Sequence, residues 1–247
     1  MIKGVDLSTY NDVDYEELKS KGIEFAIIRC GYGKDSGQKD EDFEKHYAGC
    51  KAAGIKVGAY YYSYCTKVEN AELEAENCLS YIEGKDFDLP IFYDLEENKI
   101  AALGMDQVTQ IALRFCKKIK EAGYKAGVYA NLNWFRNYIR PQALIIEGNY
   151  IWLAQWNNEI TADFPVDVWQ NTDNNEFSID GDILINEDLL NNDTPIPEFE
   201  VDICKSLAVD VIYGKFGNGE ERKEALGCYY DPVQDIVNDI YEIIEGD

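Results

Sequence analysis

Histidine is almost missing from this chain, and positive charge is scarce. The single His46 stands in the polar helical stretch DEDFEKHYAG, so serine or cysteine catalysis through an imidazole base has almost no material to work with. Lys and Arg number 23 against 47 Asp and Glu, a formal charge of −24. That balance repels a phosphate backbone and argues against nucleic acid as a partner. It repels an anionic surface as well. No apolar run approaches the roughly 18 residues that span a bilayer, and MIKGVDLSTY lacks the basic start and long apolar stretch of a signal peptide. The expectation is a soluble chain made in the cytoplasm, with no membrane insertion. The seven cysteines, Cys30, Cys50, Cys65, Cys78, Cys116, Cys204 and Cys228, show no CxxC spacing and are odd in number. They argue against a disulfide framework or a zinc site and for buried free thiols.

What is present is enough for one sizeable core and a small appendage: 247 residues, 46% of them hydrophobic and 13% aromatic. Three stretches share a layout, KSKGIEFAIIRC (19–30), KAAGIKVGAYYYS (51–63) and KEAGYKAGVYANL (120–132). Each reads as a helix end, a turn at Gly22, Gly54 or Gly123, and a β-branched or aromatic strand. Helical patterns between them, DVDYEELKSK, ENAELEAENCLSYIEG and TQIALRFCKKIKEAG, make strands and helices alternate, which argues for a parallel sheet. Strands are also expected at 2–8, 90–96, 150–156, 166–170 and 179–185, for eight in all. Helices thin out after Leu132, so the fold expected is α/β, an irregular TIM-like (β/α)5(β)3 barrel. A doubly wound open sheet is the alternative, but no glycine-rich phosphate loop follows the first strand. Residues 1–190 form the expected barrel and 191–201 a linker containing two prolines. Residues 202–247, with a GNG turn and a Tyr-Asp-Pro helix start, make a small domain of three short helices. Both parts are acidic.

Chemistry is expected at PIFYDLE (90–96). Residues i and i+2 of a strand share a face, so Asp94 and Glu96 stand together at the strand's C-terminal end, where parallel barrels place their sites. Two neighbouring carboxylates do not both ionise freely, and one becomes available as a general acid. Glycoside hydrolysis needs that division of labour. Asp6 ends the first strand, and Asp180 and Asp182 stand in SIDGDI. The rival reading of such acids is a divalent metal clamp, though no EF-hand spacing appears. The ligand expected is a neutral sugar, met by stacking and hydrogen bonds, with Tyr62, Tyr129 and Trp152 as the aromatic residues facing the cleft. Gln155 in WLAQW is a further substrate-binding candidate. No cofactor or metal is expected.

The motifs GVDLSTYN, FAIIRCGYG, AGIKVGAYYYSY, IFYDLE, AGYKAGVYANLNW, WLAQW and VDVWQNTD, in this order over residues 2–186, resemble the lysozymes of glycoside hydrolase family 25, the Chalaropsis-type muramidases common in phage endolysins and bacterial autolysins. The resemblance implies hydrolysis of the β-1,4 bond between N-acetylmuramic acid and N-acetylglucosamine in bacterial peptidoglycan. It places the family's acid on Glu96, the partner carboxylate on Asp94 and the first-strand aspartate on Asp6. The family's closing Val-Asp-x-Asn pattern is altered here to DILIN. Leu184 stands where that aspartate would be, and either Asp182 or Asp180 takes its place. The tail LAVDVIYGKFGNGEERKEALGCYYDPVQDIVN is similar to a helical cell-wall-binding repeat, which puts wall contacts on Lys215, Asn218, Glu221 and Arg222.

Three readings follow: a muramidase with a wall-binding module, a peptidoglycan-binding protein with a weak site, and another barrel glycosidase such as a chitinase. Action on the wall follows release from the cytoplasm, most simply as a phage endolysin freed by a holin. Walls of Gram-positive cells carry anionic polymers, and this chain is anionic too. Added salt is therefore expected to raise wall binding from low ionic strength, measured by pelleting the protein with purified walls. A fall in the bound fraction on adding salt contradicts it.

Overall fold

Three glycines set the repeat of the first half. In a computed structural model, which describes residues 2–190, 207–208, 211–212, 215–226, 230, 233–234 and 237–238, Gly22, Gly54 and Gly123 have φ of +88°, +69° and +89°. This left-handed region favours glycine, and it lets each helix stop and the chain turn into a strand. At Gly54 and Gly123 the next residue closes the helix end, with Ile55 N–H donating to the Cys50 carbonyl at 2.9 Å and Tyr124 N–H to that of Ile119 at 3.3 Å.

The elements run β1 (Ile2–Leu7), α1 (Tyr15–Ser20), β2 (Ile23–Tyr32), α2 (Phe43–Ala52), β3 (Lys56–Tyr62), α3 (Asn70–Ile82), β4 (Ile91–Asp94), α4 (Asn98–Ala101), α5 (Met105–Glu121), β5 (Ala126–Asn131), α6 (Leu132–Asn137), α7 (Pro141–Ile146), β6 (Tyr150–Ala154), β7 (Val168–Thr172) and β8 (Gly181–Leu184). The strands close into one barrel in chain order. Five strands are followed by helices and three are not, as expected.

The expected all-parallel sheet needs correction at one strand. β1 to β7 pair in parallel, but β8 is antiparallel to both β1 and β7. Only residues 173–180 join β7 to β8, too few for the crossover that a parallel pair requires. β8 therefore runs down from the rim that the other strands climb towards. Its first residues face the site, while Leu184 pairs with Ile2 at the opposite end.

Inside the barrel, Phe25, Ile27, Tyr60, Phe92, Tyr129, Trp152, Val168 and Leu184 form one apolar cluster. Small residues make room for the rings: a side chain at Gly4 would run into the Phe25 ring, and a Cβ at Gly127 would stand 2.5 Å from the Phe92 ring and 2.6 Å from the Tyr150 carbonyl. Outside, His46 is fully buried on α2, where its ring nitrogens meet the Tyr15 hydroxyl and the Ser8 carbonyl, each at 3.1 Å. Burial lowers its pKa, so it braces the turn after β1 as a neutral ring. Cys30, Cys50, Cys65, Cys78 and Cys116 are buried free thiols; Cys204 and Cys228 lie outside the described residues. No helix among the described residues is long and apolar enough to cross a membrane.

The chain divides into two compact units, Met1–Leu144 with Asn149–Thr194, and Ile145–Gly148 with Pro195–Asp247. In the second, α8 (Glu220–Leu226) follows a turn in which Gly217 and Gly219 are left-handed. Ala208, Val211, Leu226, Val233 and Val237 form its apolar cluster. The expected linker 191–201 and most of the three-helix expectation lie outside the described residues.

Gly127→Ala is expected to cost about 1–3 kcal/mol by overpacking the interior, read as a lower urea midpoint. An unchanged midpoint would show that Phe92 yields freely.

Candidate active site

On several strands the inward row is apolar below and polar above. On β4 the row is Phe92 then Asp94, and Glu96 continues it just past the strand end. One further ladder bond, Leu95 N–H to the Tyr129 carbonyl at 3.0 Å, keeps the alternation going, with Leu95 buried on the outer side. On β1 the row reaches Asp6, on β7 it goes from Val168 to Gln170, and on β8 Asp182 and Asp180 lie above Leu184. These groups converge on a cleft of about 420 Å³ whose lining includes Asp6, Arg29, Tyr60, Tyr62, Asp94, Glu96, Tyr129, Trp152, Trp156, Gln170 and Asp180, with Tyr10 at its edge.

Gln170 ties the cleft together. Its Oε1 accepts the Tyr129 hydroxyl at 3.0 Å and the Trp156 indole N–H at 3.2 Å. Two donors on the oxygen turn the amide nitrogen toward the acids, where Nε2 donates to Asp6 Oδ2 at 2.8 Å and Asp180 Oδ2 at 3.3 Å. Asp182 is anchored from below, its Oδ1 accepting the Trp152 indole N–H at 2.8 Å. Asp94 Oδ1 and Asp182 Oδ2 are buried with no hydrogen bond from the described residues.

Removal from water dominates the electrostatics. Burial, and then Asp180, raises Asp6 to about 7. Burial, and then Asp173, raises Asp180 to about 6. Burial pushes Asp94 well above the ordinary carboxylate range, with Glu96 next in effect, and does the same to Asp182, with Asp6 next. Glu96 is also raised, by partial burial and then by Glu97, although its side chain is exposed to the cleft. Asp94 therefore holds its proton more strongly than Glu96. Among the described residues, no group of His, Cys, Asp and Glu has the arrangement that would hold a metal ion.

Glu96, Asp94, Asp6, Tyr62 and Tyr129 all line the cleft. Asp182 lies just behind it at 2% exposure while Asp180 lines it. Leu184 is interior and far down the strand, so an aspartate there would not reach the rim, and its absence removes nothing from the site. Trp152 also lines the cleft, from beneath. It is 2% exposed, hemmed by Tyr60, Phe92 and Tyr129, and serves as the floor. Gln155 is turned away, because alternation from Trp152 and Ala154 sends it outward. Its Nε2 donates to Thr161 Oγ1 at 2.7 Å and its Oε1 accepts Thr161 N–H at 3.0 Å, so it braces the loop that carries Trp156. Trp156 itself, two residues beyond Ala154, is 61% exposed at the cleft, and Tyr10 is 83% exposed. These two, with Gln170 and Arg29, were missed. The inward rows Phe25-Ile27-Arg29 and Trp152-Ala154-Trp156 carried the signal for two of them.

In the second unit Arg222 braces the GNG turn. Its guanidinium donates to the Gly217 carbonyl at 3.2 and 3.1 Å, to Asn218 Oδ1 at 3.0 Å and to Gln234 Oε1 at 3.0 Å. These internal bonds hold the turn in shape. Lys215 and Asn218 are exposed, and the Glu221 side chain lies outside the described residues.

The sequence model for Glycosyl hydrolases family 25 matches residues 5–180. The chain belongs to that family. A model of the CW_7 repeat matches residues 205–241. The family 25 chain is 29% identical over 201 residues to a lysozyme of Streptococcus phage Cp-7, covering 74% of this chain and 55% of that protein. It is 25% identical over 158 residues to an autolytic lysozyme of Clostridium acetobutylicum, covering 63% and 45%. The chain thus spans about half the length of the curated relatives it matches. In fold it is similar to the CTP1L endolysin, with a TM-score of 0.68 at 20% identity over 86% of this chain and 80% of that one. It is also similar to a family 25 glycosyl hydrolase from Bacillus anthracis, with a TM-score of 0.64 at 24% identity over 77% and 93%.

Because the folded pKa of Asp6 lies above its unfolded value, the fold binds an extra proton between about pH 4 and 7 and loses stability as pH rises through that window. Asp6→Asn is expected to stabilise the protein at pH 8 by on the order of 2–4 kcal/mol, raising Tm several degrees, and to change little at pH 4. Coincident melting curves at pH 8 would show that burying Asp6 costs nothing.

Proposed function

We propose that the chain is a peptidoglycan hydrolase, an N-acetylmuramidase cleaving the β-1,4 bond between N-acetylmuramic acid and N-acetylglucosamine in bacterial walls. The observation that carries this reading is the placing of Glu96 and Asp94 on one inward row at the end of β4, inside the cleft. Glu96, standing where a substrate can touch it, protonates the glycosidic oxygen, and Asp94 behind it supports the positive charge that develops on the sugar. Asp6 and Asp180, tied in by Gln170, and Asp182, held by the Trp152 indole, set the charge around that pair. Tyr62 and Tyr129 shape the wall of the cleft, and Trp156 and Tyr10 offer exposed rings to sugar faces.

The proton order of the empty cleft has to change for this chemistry, and substrate supplies the means. A sugar seated over Glu96 displaces water and favours its neutral form, while positive charge near Asp94 favours the anion. The proton the pair holds thus moves from Asp94 to Glu96. The matched CW_7 repeat supports a wall-binding role for residues 202–247, with 1–190 as the hydrolase and 191–201 joining them. The names of the relatives, lysozyme and autolytic lysozyme, agree with a chain that acts on the wall after release. The altered DILIN motif takes no carboxylate from the cleft, because Leu184 belongs to the interior.

Purified protein is expected to clear a suspension of Gram-positive walls and to leave N-acetylmuramic acid at the new reducing ends; N-acetylglucosamine there would assign the other bond. Glu96→Gln is expected to lower the clearing rate by roughly 10²–10⁴-fold without changing the circular dichroism spectrum. If that variant clears walls as fast as the parent, Glu96 is not the acid.

A further inference from the structure

Among the described residues lining the cleft there is one cation, and the acid chemistry does not use it. Arg29 ends the inward row of β2, above Phe25 and Ile27 and beside Tyr60 of β3. Its Nε donates to Asp40 Oδ2 at 2.7 Å, and Asp40 is further occupied by the backbone N–H groups of Thr9 at 3.2 Å and Asp42 at 3.0 Å. The guanidinium carbon lies 5.0 Å from the centroid of the Tyr10 ring and 5.9 Å from that of Tyr32. One edge of the guanidinium is thus pinned by Asp40, and two rings lie within cation–π range of it. Neither terminal nitrogen makes a hydrogen bond with the described residues, and both belong to a residue that lines the cleft. A planar pair of N–H donors held this way matches the geometry of a carboxylate.

An arginine placed only to balance the acids would point its terminal nitrogens at them. No hydrogen bond joins Arg29 to Asp6, Asp94, Glu96 or Asp180, and its one ion pair is with Asp40. Burial keeps several of the cleft carboxyls protonated near pH 6, so the repulsion an anionic ligand meets is smaller than the count of acids suggests.

We propose that Arg29 is a specificity-determining residue that receives a carboxylate carried on a substituent of the bound sugar, so that the cleft selects an acidic amino-sugar glycan over a neutral one. This rests on the muramidase reading. N-acetylmuramic acid differs from N-acetylglucosamine by a lactyl ether ending in a carboxylate, and where a peptide is attached that group becomes an amide and the next carboxylates belong to the peptide. The chemistry Arg29 recognises is the same in both sources.

The test uses the full chain carrying Glu96→Gln, so that ligands are not cut. Its Kd is measured by calorimetry for four probes: the N-acetylglucosaminyl-N-acetylmuramic acid disaccharide, its methyl amide, the same disaccharide with its peptide, and the N-acetylglucosamine dimer. The free acid is expected to bind at least tenfold more tightly than the methyl amide, with the gap narrowing in salt and closing in Arg29→Gln. A tenfold preference for the peptide-bearing form alone, lost in Arg29→Gln, assigns the carboxylate to the peptide instead. Equal binding of charged and neutral forms, or equal weakening of both by Arg29→Gln, overturns the proposal. Arg29→Gln leaves Asp40 buried without its partner, so the double variant Arg29→Gln/Asp40→Asn is measured beside it, and the comparison of acid with amide needs no change at Arg29. If no probe binds, the proposal falls. The muramidase reading then stands or falls separately on whether the parent chain clears walls.

Discussion

A ring of acids is packed over an aromatic floor, and most of what this barrel does follows from keeping water away from it. Trp152, Tyr60 and Tyr129 close the interior beneath Asp6, Asp94 and Asp182, so these carboxyls lose hydration that no cation replaces in full. The fold answers with neutral donors: the Trp152 indole on Asp182 and the Gln170 amide on Asp6 and Asp180. Neutral hydrogen bonds position an acid without forcing it to ionise, whereas a lysine at position 152 or 170 would strip the protons the cleft needs. Scarcity of positive charge inside the cleft is therefore part of its chemistry.

The Gln170 amide also joins two parts of the site that the chain supplies separately. Trp156 arrives on the loop after β6, and Asp6 ends β1 on the far side of the barrel seam. Because Oε1 is occupied by Tyr129 and Trp156, Nε2 can only face the acids. Reversing the amide would set oxygen against carboxylate and donor against donor. The position of an exposed ring is thus linked to the orientation of a buried acid through one side chain.

Much of this was legible in the residues, and the failures share a cause. Alternation placed Asp94 and Glu96 together and the left-handed glycines placed the strand starts, because both depend on local backbone geometry. Strand direction depends on connection length, and the link of residues 173–180 is set only once the ends of β7 and β8 are known. Gln155 was misplaced for a related reason: it follows a strand rich in aromatic and polar residues, and only the row through Trp152, Ala154 and Trp156 tells inside from outside. Gln170 and Arg29 carry no composition signal at all. Each is one polar residue above apolar ones on an inward row; the alternation is written in the sequence, but only the closed barrel shows that the top of the row is the rim of a cleft.

Closing the barrel with an antiparallel strand has a consequence for the acids themselves. A parallel strand brings its last inward residue to the rim and then leaves, as β4 does at Asp94. β8 enters at the rim, so its first inward residues, Asp180 and Asp182, are set one above the other where the chain turns down, and they reach the site at two depths. Asp180 is half-buried and titrates near 6, while Asp182 is buried and stays protonated well above the ordinary range. Asp6 is level with Asp180, since Gly4 pairs with Asp182 and Val5 with Gly181. A gradient of acidity from lip to floor thus follows from the direction of one strand. Asp180 and Asp6, raised to about 6 and about 7, are thus the cleft acids whose charge changes near neutral pH, while burial holds Asp94 and Asp182 well above the ordinary carboxylate range.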